Sequence, residues 1–313
     1  MRIASYDEAD HDEVLAMNLQ AFGWPFTEAA VKKYLKHDER WMDIVGVYAI
    51  ERGRTIGQVL PLKIRTRTSE GEETVGGIAG VTVVPGKARK GIATTLMRAA
   101  HDVLRDSGIR ISFLLTSEFL VAYGMYRKLG YFDASSFSAA QKLVKVARKP
   151  KDVVLRPYRK KDWRRTDRIY RHGTRSLLGF VVRQRAFLNK KIDTTPLTRK
   201  NIRFVEDQNA EGYVVLSPAE DLVTVREIVC SNRRSFNRIM ALVEAEAAEK
   251  YVLTYLQTSR LAQRRFERRG YKLDRTTWGR VMVVPLVRGL SNKKLSELYD
   301  FGGAFCMMAL DSF

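Results

Sequence analysis

At 313 residues, with 45% apolar and 10% aromatic side chains, the chain can bury the cores of about two domains, which excludes wholesale disorder. The longest apolar runs, such as 304–310, are far too short to span a bilayer, and polar residues follow Met1 where a secretory signal would be apolar, so a cytoplasmic protein without a membrane partner is expected. Cys230 and Cys306 stand alone, with no companion at metal-ligand spacing, so no metal site is expected. The formal charge of +20 points to anionic partners, and residues 151–200 hold 16 Lys and Arg against 4 Asp and Glu. No RNA-reading signature with glycine and clustered aromatics accompanies that span, so it reads as mainly a solvated surface, and specific nucleic-acid binding is not expected.

Residues 1–5 read as a short strand, and two helices follow. Asp10 is placed to cap the first, which carries Val14, Leu15, Asn18 and Leu19, and Thr27 to cap the second. Between them Phe22-Gly23-Trp24-Pro25-Phe26 reads equally as a substrate wall or a packed aromatic corner. Residues 44–50 and 55–67 alternate as antiparallel strands about a turn at 51–54, and a second turn at 69–73 leads to an apolar strand through Val81 and Val83. Pro85 and Gly86 stop that strand. Gly91-Ile92-Ala93 then opens a helix in which Ile92, Leu96, Ala100 and Leu104 recur at helical spacing until Gly108.

A strand, a basic turn with Lys87, Arg89 and Lys90, and a helix start together make an anion site. Successive backbone N–H groups converge there, the helix dipole favours negative charge, and a side chain at position 91 would hold a phosphate off. Measured from Ile92, His101 falls about 180° round the helix, on its solvated face. His11 and His37 lie in polar helical stretches, and His172 lies in the second half. A further apolar strand, 110–116, precedes Ser117-Glu118 and then Tyr123, Tyr126, Gly130 and Tyr131.

This order of elements, with Val81-x-Val83-x-Pro85, Gly91-x-Ala93 and Tyr126-x-x-x-Gly130-Tyr131, resembles the GNAT superfamily of N-acetyltransferases over roughly residues 1–140. The family loop reads (Arg/Gln)-x-x-Gly-x-(Gly/Ala); here Ala88 takes the first place and Arg89 follows it. The resemblance implies acetyl-CoA as co-substrate, held by Val83, Val84, Ala88, Arg89, Lys90, Gly91, Ile92, Ala93 and Ser117. It also implies direct attack by a primary amine, on a small molecule or a lysine, in a ternary complex. Tyr126 matches the family's general acid, with Tyr123 one helical turn away as the substitute, and a backbone N–H near Val83 or Val84 polarises the thioester carbonyl.

After a basic linker at 147–152 the pattern restarts. Val154 to Tyr158 with Asp162 echoes Arg2 to Tyr6 with Asp10, and Phe266-x-x-x-Gly270-Tyr271 repeats the spacing of Tyr126, Gly130 and Tyr131. The second copy has Cys230-Ser231-Asn232-Arg233-Arg234 where the first has its glycine loop, and Phe266 has no proton to give. The expected fold is therefore α/β (α+β), two tandem GNAT domains, each a mixed central sheet flanked by helices. Their bounds are 1–145, catalytic, and 152–288, degenerate, with a C-terminal tail at 289–313 docking towards the active site.

This arrangement resembles the Eis-type acetyltransferases, in which a sterol-carrier-like third domain follows and its terminal carboxylate reaches the first active site. Only the tail stands in that place here, which makes the Phe313 carboxylate the candidate base, beside a water or Glu118; a homo-oligomer is compatible with the resemblance. The alternative reading is a nucleic-acid-binding protein that uses the basic second domain of a GNAT scaffold.

Overall fold

A computed structural model describes residues 1–147, 149–150, 153–206, 211–256, 260–274 and 279–312. In chain order its first half holds β1 (Arg2–Ala4), α1 (His11–Phe22), α2 (Glu28–His37), β2 (Val47–Glu51), β3 (Arg54–Thr68), β4 (Gly71–Val83), α3 (Ile92–Asp106), β5 (Ile111–Ser117), α4 (Val121–Lys128) and β6 (Phe132–Ser136). The second half holds β7 (Ser138–Leu143), β8 (Val154–Pro157), α5 (Trp163–Gly173), β9 (Leu178–Phe180), α6 (Phe187–Thr194), β10 (Ile202–Glu206), β11 (Gly212–Pro218) and β12 (Leu222–Cys230). It continues through α7 (Arg233–Glu246), β13 (Tyr251–Leu256), α8 (Arg260–Glu267), β14 (Lys272–Asp274), β15 (Gly279–Pro285), α9 (Asn292–Tyr299) and β16 (Phe305–Met307). Among the described residues no helix is long and apolar enough to cross a membrane.

Two mixed sheets have the same internal order. In the first unit it is β1-β2-β3-β4-β5-β15-β6, and in the second β8-β10-β11-β12-β13-β7-β14. Measured against the expected repeats 1–145 and 152–288, each sheet thus takes its sixth strand from the other repeat, and the compact units are 1–135 with 279–298, and 136–278 with 299–312. Contiguous domains ending at 145 and 288 do not occur. Only Phe137 separates β6 from β7, and a hairpin needs a loop of at least about two residues, so β7 runs on and pairs with β13 instead. Met282 and Val283 of β15 are both fully buried, which suits a strand covered on two faces between β5 and β6.

In the first unit α3 lays Leu96, Met97, Ala100 and Leu104 against Val59, Ile78, Leu114 and Met282. Each such side chain contributes roughly 1.5–3 kcal/mol by leaving water. Asp10 accepts from the N–H groups of Asp12 and Glu13, and Thr27 from that of Ala30, so both expected caps are in place. The aromatic stretch between them is a packed corner: Phe26 is fully buried, the Trp24 indole donates to the Tyr34 hydroxyl at 2.8 Å, and Tyr34 stacks on Trp41.

In the second unit α7 supplies Phe236, Ile239, Met240 and Val243 to one core, while α5 and α6 supply Ile169, Tyr170 and Phe187 to another. The basic span contributes a wholly buried guanidinium there. Arg183 makes two hydrogen bonds to Glu227, at 3.0 and 2.6 Å, and two to Asp311, both at 2.8 Å, and it lies 3.8 Å from the centre of the Tyr170 ring. This arginine departs from the expected solvated surface because two carboxylates enclose it.

The tail divides. Residues 289–298 belong to the first unit, where Ser69 donates its N–H to the Leu298 carbonyl at 2.9 Å and Lys294 pairs with Glu70. These contacts lie at the start of β4, at the opposite end of a thirteen-residue strand from Val83, roughly 40 Å along it. Residues 299–312 belong to the second unit, where β16 pairs with β9 and Asp311 meets Arg183. Phe313 lies outside the described residues.

Candidate functional site

The first unit opens where its two central parallel strands part. β4 pairs with β5 only over Gly76–Ile78 against Ser112–Leu114, yet β4 continues to Val83 and β5 to Ser117. Burial follows the ladder: β4 is fully buried at 75–78 and only half-buried from Ala79 onward. Beyond Ile78 the edge of β4 that faces β5 therefore offers backbone groups with no strand to meet them.

A bulge sets which groups those are. Gln58 pairs with Thr82 and Leu60 with Ala79, so Gly80 and Val81 together oppose Val59. Gly80 sits at φ +57°, and a Cβ there would come within 2.7 Å of Leu60. The Val84 N–H donates to the Ile56 carbonyl at 2.9 Å. Backbone groups alternate between the two edges of a strand, so Val84 faces β3 and the Val83 N–H faces the open cleft. Of the two expected polarising donors, Val84 is spent within the sheet and Val83 is free of it.

Two buried side chains hold the bulge. The Gln58 amide donates to the Gly80 carbonyl at 3.1 Å and to Asn18 Oδ1 at 2.9 Å, and Asn18 donates back to Gln58 Oε1 at 3.0 Å. Both are fully buried, and Asn18 also donates to the Val14 carbonyl of its own helix. The sequence carries two signals for this, a glycine inside a strand pattern and an asparagine within an apolar helix face, but neither residue type alone specifies a bulge clamp.

Past Val84 the chain makes a short turn over Pro85–Lys87, and then Arg89 (φ +61°) and Gly91 (φ +79°) both take left-handed conformations before α3 begins. No side chain caps α3, in contrast to α1 and α2, and a Cβ at Gly91 would meet nothing within 4 Å. The first turn of α3 thus presents its N–H groups to open space in a glycine-lined cradle, which fits a pyrophosphate. Ala88, Arg89 and Lys90 are exposed, Ile92 is buried and anchors the helix, and Ala93 is half-buried. Lys87 departs from the expected anion-facing role because it pairs with Glu51, whose carboxyl it holds below its usual range.

On the β5 side, Ser117 is buried at the strand end, where its hydroxyl accepts from the Phe119 N–H at 3.2 Å. Tyr126, on α4, is 6% exposed, and burial pushes its hydroxyl up to about 12. Among the described residues none hydrogen-bonds that hydroxyl, and it is not among the sealed unpartnered hydroxyls such as those of Tyr6 and Tyr48. Tyr123 is spent, since it donates to Asp133 at 2.8 Å. Glu118 is held by Arg280 at 2.7 Å.

His101 is a correction. It is 6% exposed and shares a 2.8 Å hydrogen bond with the Tyr131 hydroxyl, which also bonds Ser112 at 2.7 Å. Burial lowers the imidazole to about 4. The buried arc of α3 runs through Ile92, Leu96, Ala100, Leu104, Met97 and His101, with Ile92 at one border and His101 at the other. An angle counted from Ile92 alone therefore placed the histidine outside an arc that it closes.

In the second unit the corresponding ladder stops as early: β12 pairs with β13 from Leu222–Tyr251 to Val225–Thr254, and β12 then runs on to Cys230. Here α7 is capped, since Asn232 Oδ1 accepts from the Ser235 N–H at 2.9 Å. Phe266 is buried edge-on between Phe236 and Tyr271.

Comparison with known proteins agrees with this geometry. Residues 2–133 match the acetyltransferase (GNAT) domain family, and no curated protein matches the sequence. A GCN5-related N-acetyltransferase from Kribbella flavida superposes with a TM-score of 0.65 at 19% identity, covering 91% of this chain and 72% of its own. A probable N-acyltransferase from Enterococcus faecalis V583 gives 0.67 at 13% identity over the same shares. Eis1 from Mycobacterium abscessus gives 0.57 at 16% identity, covering 81% of this chain and 65% of its own. Residues 2–133 thus match the GNAT acetyltransferase domain family, and the chain as a whole shares the fold of these N-acetyltransferase structures, as two GNAT-fold units in tandem.

Proposed function

We propose that the first unit transfers an acetyl group from acetyl-CoA to a primary amine, on a small molecule or a lysine side chain. The observation that carries this reading is the early end of the β4–β5 ladder, beside which stand the Val83 N–H, the uncapped start of α3 and Tyr126. The N–H groups at 91–93, with Arg89 and Lys90, hold the pyrophosphate of the co-substrate. The Val83 N–H donates to the thioester oxygen and gains strength as that oxygen takes on charge during attack.

Tyr126 meets the departing sulfur. A phenol near 12 and a thiol near ~8.5 make complete proton transfer uphill by about 5 kcal/mol. Tyr126 therefore acts by donating a hydrogen bond to the sulfur as charge develops and keeps its proton; the proton that the attacking nitrogen sheds passes to solvent, and the thiolate takes one up from solvent as it leaves the site. Its unused hydroxyl is what separates it from Tyr123 and Tyr131. Incubating the protein with acetyl-CoA and a panel of polyamines, aminoglycosides and lysine peptides, and following free thiol, tests the reading. Acetylation of no amine in the panel above the hydrolysis background would overturn it.

A further inference from the structure

The second unit has lost the glycine loop but has gained arginines at the same place. A groove of about 460 Å³ between α7 and α8 is lined by Arg233, Asn237, Arg265, Arg268 and Arg269, with no carboxylate in its lining. Arg269 is fixed in place: its guanidinium holds buried Glu244 at 2.7 and 3.2 Å and reaches the Asn237 carbonyl at 3.3 Å. Glu244 is also approached by Lys142 at 3.5 Å, so it leaves no negative charge to spare. Arg265 lies over the Phe236 ring at 5.7 Å. Arg233 and Arg268 are exposed and have no ion pair among the described residues.

Four guanidinium groups around one groove repel one another, and the arrangement gains from a ligand that carries more than one negative charge. Arg265 also lines a second cavity, of about 270 Å³, at the opening between β12 and β13, whose walls include Val229, Phe236, Ala262 and Phe266. Groove and cavity share that one side chain; beside its apolar walls the cavity is lined by Arg175, Arg226 and Glu227, whose carboxylate Arg183 holds. Together they reach the usual size of a small-molecule site, ~300–1,000 Å³.

We propose that the second unit binds a small polyphosphate-bearing molecule of the nucleotide class. The phosphates lie among Arg233, Arg265, Arg268 and Arg269, and the organic group enters the cavity between β12 and β13. The Asn232 side chain already takes the Ser235 N–H, and recognition is by side-chain guanidinium forks, which match phosphate geometry bidentately. A nucleic-acid strand is disfavoured by the same geometry, because the apolar part is an inward cavity and strand binding uses exposed stacking platforms along a track. The proposal is independent of catalysis by the first unit.

The test is calorimetric titration of the full chain at about 0.15 M salt with inorganic pyrophosphate, ATP and a single-stranded oligonucleotide. With Gly91→Glu blocking the first unit, pyrophosphate and ATP should each still bind at one site, and ATP the more tightly because it also fills the cavity. Adding Arg233→Gln and Arg268→Gln should weaken both by about tenfold or more. In the otherwise unaltered chain the same two arginine changes should remove one site per chain and leave the melting temperature of the free protein unchanged or higher, since they relieve repulsion. Three results would overturn the proposal: no site left in the Gly91→Glu protein, unchanged affinity in the arginine variant, or binding to the oligonucleotide alone. If Gly91→Glu changes nothing while the arginine variant abolishes binding, the second-unit site stands and the reading of the first unit falls.

Discussion

The starts of α3 and α7 occupy the same step of the same fold, and they solve the same electrostatic problem in opposite ways. Both follow a strand whose parallel ladder has just ended, at Ile78–Leu114 in one unit and at Val225–Thr254 in the other. In the first, Gly91 takes φ +79°, nothing caps the helix, and the backbone amides stay open to a ligand. In the second, Asn232 turns its own side chain onto one of those amides, that of Ser235, and the charge moves out to arginines. Topology is thus held constant while the chemistry is set by a handful of loop residues, which is why a shared fold does not carry a shared activity. The tyrosine position repeats the lesson: Tyr126 keeps a hydroxyl that no described residue uses, and Phe266 has none.

The sharpest way to break this comparison is at the glycine. Gly91→Glu forces a side chain into a left-handed position and sets a carboxylate where the proposed function lays the phosphates. Acetyl-CoA affinity in the first unit should fall roughly 10²-fold or more, and turnover with it. The reverse change, Asn232→Gly, should not create acetyl transfer in the second unit, since Phe266 remains. Thiol release and calorimetry on both variants check this, and activity retained in Gly91→Glu would show that α3 is not the phosphate site.

Next in size is Tyr126→Phe. On the proposed reading its hydroxyl acts only as the sulfur takes on charge, so kcat should fall by roughly 10²-fold with acetyl-CoA affinity held, at the low end for general acids because burial makes the phenol a weak one. Phe266→Tyr in the second unit should gain nothing. Wild-type turnover in Tyr126→Phe would return the role to Tyr123 or to water.

Much of this was legible in the sequence, and what was not has identifiable physical causes. Capping residues, turn glycines and apolar periodicity are local signals, so α1, α2, α3 and the Gly91 turn were placed from residue types alone. The strand exchange was not, because pairing is decided between segments far apart in the chain. Only the single-residue gap at Phe137 hinted that β7 could not fold back. The clamp of Asn18 and Gln58 on Gly80 was equally hidden, since forty positions separate the two amides.

That clamp yields the third prediction. Gln58→Leu strands the Asn18 side chain in the core, at a cost of about 1–3 kcal/mol for a buried unpaired group, and leaves the half-buried Gly80 carbonyl unheld. The bulge loses its tether, so Val83 drifts and kcat falls by about tenfold with KM little changed. Changing Asn18 and Gln58 together to Leu removes both side-chain partners, so stability should recover in part, but the Gly80 carbonyl stays unheld and kcat should not. If kcat recovers along with the melting temperature, the clamp serves stability alone.

The smallest expected effect concerns acid. His101 has an unfolded value near ~6.5, and burial beside Tyr131 lowers it to about 4 in the folded chain. Between these values the unfolded state binds the proton and the folded state does not, so unfolding becomes easier as pH falls. The stabilising contribution is fully present above pH ~6.5 and is lost progressively down to about 4, amounting to roughly 3 kcal/mol. His11 works in the opposite sense, because its bond to Glu28 raises its value, but it is present in wild type and variant alike and cancels in their difference. His101→Gln keeps a polar partner for Tyr131 and carries no titrating group. Its unfolding free energy by urea should therefore decline less steeply than that of the wild type between pH 6.5 and 4, and the two should run parallel above pH 7. Equal slopes throughout that window would mean that His101 takes up its proton as readily folded as unfolded, and that the seal round Tyr131 opens in acid well before the fold does.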